Sequence, residues 1–193
     1  MGRPKGFDPD VAVDRAMEVF WRKGYARTTP QDLVEALGLG KGSLYNAFGS
    51  KRALFELALR RYRDSQVMAL IEMLEAAGPV KERLRRALTS LVVMDLADPD
   101  RRGCLAVNSA AELAGAEDAA AVDLVRRMFD RTEGAFRSLI AEGQRSGEVA
   151  PERDPAALAA LLLNTVVGLR LTMRLTQDSH RPAQVVDAVI DSL

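Results

Sequence analysis

Apolar positions along the first sixty residues recur at helical spacing in short blocks, each fenced by capping residues or glycine. Val13, Ala16, Met17 and Phe20 fall on one side of a helix that Asp8 caps, Pro9 opens and Gly24 closes. Thr28 and Thr29 repeat that start signal ahead of Pro30, so "PQDLVEAL" predicts a second helix ending at Gly38. A turn over Gly38–Leu39–Gly40 leads into "KGSLYNAF", barely two turns long. Leu33, Leu37, Leu39, Leu44 and Phe48 supply a shared core for this pair, which turns Lys41, Ser43, Tyr45 and Asn46 outward. Ser50 then caps a longer helix, with an inner face of Leu54, Ala58, Tyr62, Ala69 and Met73, reaching about Ala77 and spanning about 42 Å.

Downstream the units lengthen. Pro79 to Ala97 reads as a helix stopped by "DPDRRG", and Cys104 to Ala114 as a shorter apolar one. Asp118 to roughly Glu142 is long and amphipathic, Ala156 to Thr176 is apolar on most faces, and Pro182 opens a last helix ending near Leu193. With β-branched runs short, the prediction is an all-α chain: a three-helix domain over residues 1–49 and a larger helical domain over 50–193.

Charge changes this picture more than composition does. Net charge is zero, yet residues 1–61 hold eleven basic and seven acidic residues, while the remainder holds sixteen and twenty. A basic head on an acidic body points to a polyanion met by the head alone. The longest unbroken apolar run, Ala156 to Leu163, is too short to span a bilayer, so no membrane partner is expected. A single cysteine, Cys104, and an N-terminus without a secretory pattern give a cytoplasmic expectation.

"GLGKGSLYNAFGSK", residues 38–51, crowds glycine, lysine and serine as phosphate-binding loops do. A nucleotide-binding loop requires G-x-x-x-x-G-K-[ST] between strand and helix. Here Glu35 replaces the first glycine, Gly42 follows Lys41, and a helix precedes the loop. Two short helices joined by a tight turn form instead a helix-turn-helix, whose second helix presents its N-terminal residues to base edges in the major groove. Gly42 in the first turn costs about 1 kcal/mol relative to alanine, which makes sense where backbone must approach a phosphate.

Residues 16–55, "AMEVFWRKGYARTTPQDLVEALGLGKGSLYNAFGSKRALF", closely resemble the DNA-binding head of TetR-type transcriptional regulators. The pattern is met at Ala16, Phe20, Gly24, Tyr25, Thr28, Thr29, Gly38, Gly42, Leu44, Tyr45, Phe48, Lys51 and Leu54. It departs at Val34, where a small alanine is usual, and at Gly40, where Ser or Thr often caps the recognition helix. The resemblance implies phosphate contacts from Thr28, Thr29, Gln31, Tyr45 and Lys51 and base contacts from Lys41, Ser43 and Asn46, a split that side-chain chemistry supports. Arg3 and Lys5 could form an arm reaching the minor groove.

One short recognition helix reads too few base pairs, so a homodimer on a palindromic double-stranded operator is expected, its interface built from Leu161, Thr165, Val166, Leu169 and Val186. By resemblance, the body holds a small-molecule effector that shifts the long helix after the head and releases a repressor from DNA. Met94, Cys104, Asn108, Met128, Phe136, Asn164, Arg170 and Met173 are the pocket candidates: an adaptable apolar lining with a few polar groups. Cys104 follows two arginines in "RRGCLAVNSAAEL", which also looks like the matching helix of a subgroup containing thiol sensors of electrophiles or oxidants. Catalysis would need clustered His, Cys or carboxylates, and the chain has one His and one Cys, far apart. No metal and no cofactor is expected. A helical protein-binding adaptor explains the bundle but not the head.

Overall fold

A computed structural model of the chain describes residues 7–114, 119–176 and 178–193. Ten α-helices, and no strand among the described residues, run α1 (Pro9–Lys23), α2 (Pro30–Leu37), α3 (Lys41–Phe48), α4 (Lys51–Tyr62), α5 (Met68–Glu75), α6 (Val80–Ala97), α7 (Leu105–Leu113), α8 (Ala119–Ser146), α9 (Pro155–Thr172) and α10 (His180–Asp191). The start signals act as read: Asp8, Thr29 and Ser50 each accept a backbone N–H of the helix they open, and Asp154, which is not among those signals, does the same for α9. Arg3 and Lys5, and the expected start of α8 at Asp118, lie outside the described residues.

The α4–α5 rod departs from its expected phase. Between the two helices lies one π-helical turn, Arg63–Val67, that inserts an extra residue into the helical count. Leu70, Ile71 and Leu74 therefore face inward, while Ala69 is exposed and Met73 only half-buried. Helix α10 starts two residues before Pro182, and α8 extends past Glu142 to Ser146.

Two hydrophobic clusters organise the molecule. The first joins Phe20, Leu33, Leu44, Phe55 and Leu59 of the head to Leu105, Leu113, Leu124 and Met128 of α7 and α8, so the core runs through the expected boundary at 49/50 without a break. The second packs α5, α6, α8, α9 and α10 around Leu84, Leu88, Phe136, Ile140 and Leu162. Val166, Leu169 and Val186 belong to this second core. That corrects their assignment to an intersubunit surface: the protomer itself buries them. Together α9 and the short 3-10 turn after it, Pro155–Leu175, are long and apolar enough by composition to cross a membrane, with 39% of the apolar window buried inside the protomer.

Gly143 shows how tightly the second core closes. A Cβ there would lie 2.6 Å from Val149 Cγ2 and 3.0 Å from Val80 Cγ1, whereas a Cβ on Gly134, in the same helix, meets nothing within 4 Å. Gly143→Ala is expected to destabilise by about 1–3 kcal/mol through overpacking. Gly134→Ala is expected to stabilise by up to about 1 kcal/mol through helix propensity. Paired thermal melts check the opposite signs.

Candidate nucleic-acid interface and the cavity behind it

The head is built by local rules that leave one face unused. Thr29 caps α2 in a reciprocal box: its Oγ1 accepts from Asp32 N at 3.2 Å, while Asp32 Oδ2 accepts from Thr29 N at 2.8 Å. Asp32 also takes Lys23 Nζ at 2.6 Å. Lys23 first, then the Thr29 backbone and hydroxyl, hold its carboxyl down at about 2. At the turn, Gly38 adopts φ 67°, ψ 29°, the left-handed conformation glycine tolerates best, and its N–H returns to Val34 O. Helix α3 follows with Gly40 as a cap that offers no side-chain acceptor. Its one buried residue is Leu44, locked under α2 and α4.

This leaves Lys41, Gly42, Ser43 and Asn46 exposed together at the N-terminal end of α3, with Tyr45 half-exposed beside them. Beyond its own helix backbone and chain neighbours, none of the described residues comes within 4 Å of a Cβ added at Gly42. The missing side chain therefore serves no internal packing, and the backbone N–H groups at this end lie open to an anion. Thr29 and Gln31 are exposed at the start of α2, where Gln31 Nε2 donates to Glu35 at 2.8 Å.

Two expected phosphate ligands are engaged internally. Thr28 is only 1% exposed and its hydroxyl donates to Gly24 O at 2.6 Å, so its side chain closes the α1–α2 turn and is not presented outward. Lys51 Nζ donates to Thr28 O at 2.7 Å and sits 4.4 Å above the Tyr25 ring, with burial lowering its pKa. It ties the start of α4 to the start of α2.

The body grips the head through contacts that sequence reading missed. Glu112 of α7 accepts from Tyr25 N at 2.8 Å and Ala26 N at 2.5 Å. Trp21, the one tryptophan, donates from Nε1 to Gly103 O at 2.9 Å, and Arg102 stacks 4.4 Å over its indole. Gly103 O also accepts Arg170 Nη2 at 2.9 Å, and the same nitrogen donates to Asp95 Oδ1 at 2.7 Å. A lone tryptophan and a glycine in the predicted α6–α7 loop were visible in the sequence, but nothing local paired them.

Behind this seam lies a cavity of about 50 Å³ bounded by α4, the π turn, α5, α6, α7, α8 and α9. It brings together three of the eight pocket candidates, Cys104, Met128 and Arg170, and adds Tyr62, Gln66 and Phe129. The other five line no part of it. Met94 is 46% exposed on α6, and Phe136 is fully buried in the second core. Asn108 clamps Arg102 O and Arg174, Asn164 is exposed and donates to Ala160 O, and Met173 lines a separate crevice with Asp95 and Thr176. Tyr62 Oη donates to Cys104 Sγ at 3.2 Å, and burial raises the Tyr62 pKa well above 10, which keeps the phenol a donor at neutral pH.

Comparison with known proteins matches two family models to separate parts of the chain. Residues 12–58 match the family model "Bacterial regulatory proteins, tetR family", and residues 80–189 match "Tetracyclin repressor-like, C-terminal domain". The chain is 35% identical over 195 residues, the whole of both chains, to the HTH-type transcriptional regulator YezE of Bacillus subtilis (strain 168). It is 31% identical over 176 residues, 90% of this chain and 82% of the other, to the HTH-type transcriptional repressor ComR of Escherichia coli (strain K12). Among solved structures, a cysteine mutant of the TetR family transcriptional regulator CifR, complexed with 26-bp double-strand operator DNA, superposes with a TM-score of 0.88 at 31% identity, covering 99% of each chain.

Asp32 gives the head a pH signature. Its lowered folded pKa means the capping box contributes stability above the unfolded value near 4 and loses it as pH falls through about 2. Asp32→Asn is expected to melt below the parent at neutral pH, with the gap closing between pH 4 and 2. Melting temperatures across that window check it.

Proposed function

The chain belongs to the TetR family of DNA-binding transcriptional regulators, and from that premise we propose that it is a dimeric repressor that occupies a palindromic operator when empty and leaves it when the α4–α9 cavity fills. The observation that carries the DNA reading is the exposed end of α3. Lys41, Ser43 and Asn46 stand clear of the protomer around a glycine that nothing inside requires. Asn46 suits adenine and Lys41 guanine, while Thr29, Gln31, Tyr45 and the Gly42 backbone suit phosphate. Thr28 and Lys51 position that face from behind.

The dimer reading is supported by a stripe on α9. Ala157, Leu161, Asn164, Gly168, Leu171 and, one turn beyond, Leu175 follow each other at helical spacing, with Leu161, Leu171 and Leu175 exposed by 45%, 49% and 85%. The polar members blunt nothing: Asn164, Thr165 and Thr172 all donate to carbonyls one turn back in their own helix. Beyond its own helix backbone and chain neighbours, none of the described residues comes within 4 Å of a Cβ on Gly168, so its smallness leaves room for close approach of an outside neighbour. Leu161 and Thr165 thus remain in the proposed interface, and Leu171 and Leu175 replace the three buried residues.

A second reading, a thiol sensor, rests on one observation. Cys104 occupies the N-cap of α7 with its sulfur on the cavity wall, accepting the Tyr62 hydroxyl. If Cys104→Ser responds to quinones and aldehydes as the parent does, that reading fails.

Electrophoretic shifts with DNA upstream of the chain's own gene test the repressor reading. Asn46→Ala is expected to weaken specific binding by about 1–3 kcal/mol while sparing non-specific binding. Leu161→Glu combined with Leu171→Glu is expected to give a monomer by light scattering, with operator binding lost. A dimer of unchanged mass removes the α9 interface from the account.

A further inference from the structure

The cavity wall has a surplus of hydrogen-bond donors. Arg170 is 6% exposed, and its Nε–H has no partner. Tyr62 is 1% exposed, and its hydroxyl spends its hydrogen on a thiol sulfur, one of the weakest acceptors a protein offers. Of the remaining lining, Thr132 bonds its own helix and Leu70, Leu91, Val107 and Phe129 are apolar, while the Gln66 amide makes no hydrogen bond to Arg170 Nε. Asp95 Oδ2, itself without a partner, belongs to the ion pair behind the wall and not to the lining. A buried donor with no partner, or only a weak one, is destabilising, so a guest that supplies an acceptor recovers that energy on binding.

Charge narrows the guest further. The guanidinium of Arg170 is already matched by Asp95 at 2.7 Å, and both side chains are 7% exposed. An incoming carboxylate would make a third charge in a site whose other two already cancel, and its desolvation would go uncompensated. An ammonium would meet donors and a cation. Size narrows it again, since about 50 Å³ admits only a compact body until the flexible Met128 and Gln66 side chains yield.

We propose that this cavity takes a small uncharged molecule with one carbonyl-type oxygen, seated against Tyr62 Oη–H and Arg170 Nε–H, with an apolar body toward Leu70, Leu91 and Phe129. The assignment rests on the reading of the cavity as the effector site and adds the class of effector. Its placement explains how a guest reaches the head. Tyr62 closes α4 immediately before the π turn, and Arg170 shares the Gly103 carbonyl with Trp21 of α1. A guest that draws either donor toward itself pulls on an element that the head packs against.

The test uses the purified full-length protein and three probes of one ring size: cyclopentanone, cyclopentanecarboxylate and cyclopentylamine. Cyclopentanone is expected to bind by calorimetry or ligand-detected NMR with a dissociation constant on the order of 10 mM or below, and at least tenfold more tightly than either charged probe. Tyr62→Phe, which keeps the ring and the packing, is expected to weaken the ketone about tenfold. Arg170→Lys, which keeps the charge beside Asp95 and removes Nε–H, is expected to do the same. The assignment is overturned if the carboxylate or the amine binds as well as the ketone, if none of the three binds, or if the folded Tyr62→Phe protein binds the ketone unchanged. Operator occupancy measured alongside separates the two readings. A ketone that binds as described without displacing DNA refutes the effector role and leaves the site, whereas a carboxylate that binds and displaces DNA refutes the site chemistry and leaves the effector role.

Discussion

One backbone oxygen, that of Gly103, ties the DNA-facing part of this molecule to the rest of it. It accepts the Trp21 indole from α1 and the Arg170 guanidinium from α9, so three separate stretches of chain meet at one atom. The meeting is possible because residue 103 has no side chain. Its φ is 63°, and a Cβ there would lie 2.9 Å from the Arg174 side chain and 3.0 Å from the Arg170 carbonyl. Asp95 completes the arrangement by neutralising Arg170 in a site too dry for a lone charge. Without Arg170 the buried Asp95 carboxylate would have no partner, and without the Gly103 carbonyl the Trp21 indole N–H would have none.

Around that point the rest of the seam makes physical sense. Arg102 bridges Glu18 and Asp98 while covering the Trp21 ring, and Arg22 reaches Asp100 at 2.9 Å, so both sides of the loop are pinned to α1. Glu112 does the equivalent for the α1–α2 turn by filling two backbone N–H groups. The exposed ion pairs contribute little stability individually, since water competes for each partner. Their value is directional: they fix where the loop sits, and the buried core beneath supplies the energy.

The head was legible in the sequence because its rules are local. Caps at Asp8, Thr29 and Ser50, the left-handed glycine at Gly38 and the alternation of Leu33, Leu37 and Leu44 each act within a few residues. Thr28 shows the limit of that reading. The motif identified the position, but only the fold reveals that Thr28 points at Gly24 O. The body was less legible for two reasons. Helix α9 is apolar on nearly every side, so no periodicity could say whether Leu161 or Val166 faces the core; the positions of α8 and α6 decide it. Pocket candidates chosen by residue type scattered, because Met94, Asn108 and Phe136 have suitable chemistry on faces that turn elsewhere. Tyr62 was read as plain core, and its role at the cavity wall depends on a neighbour forty-two residues away.

The widened turn between Tyr62 and Leu70 has a consequence for how such a chain can vary in length. Eight positions apart, these two residues would lie about 80° apart around a regular helix, and the intervening turn, which closes on the fifth residue instead of the fourth, brings them nearly into line. Dropping a single residue from 63–67 would convert the rod to an ordinary helix with both inward rows still aligned, at seven apart. Dropping or adding one anywhere else along α4 or α5 would swing half the rod's greasy side into water. The bulge is therefore the rod's one neutral point for an indel, a place where homologues can differ in count without differing in packing.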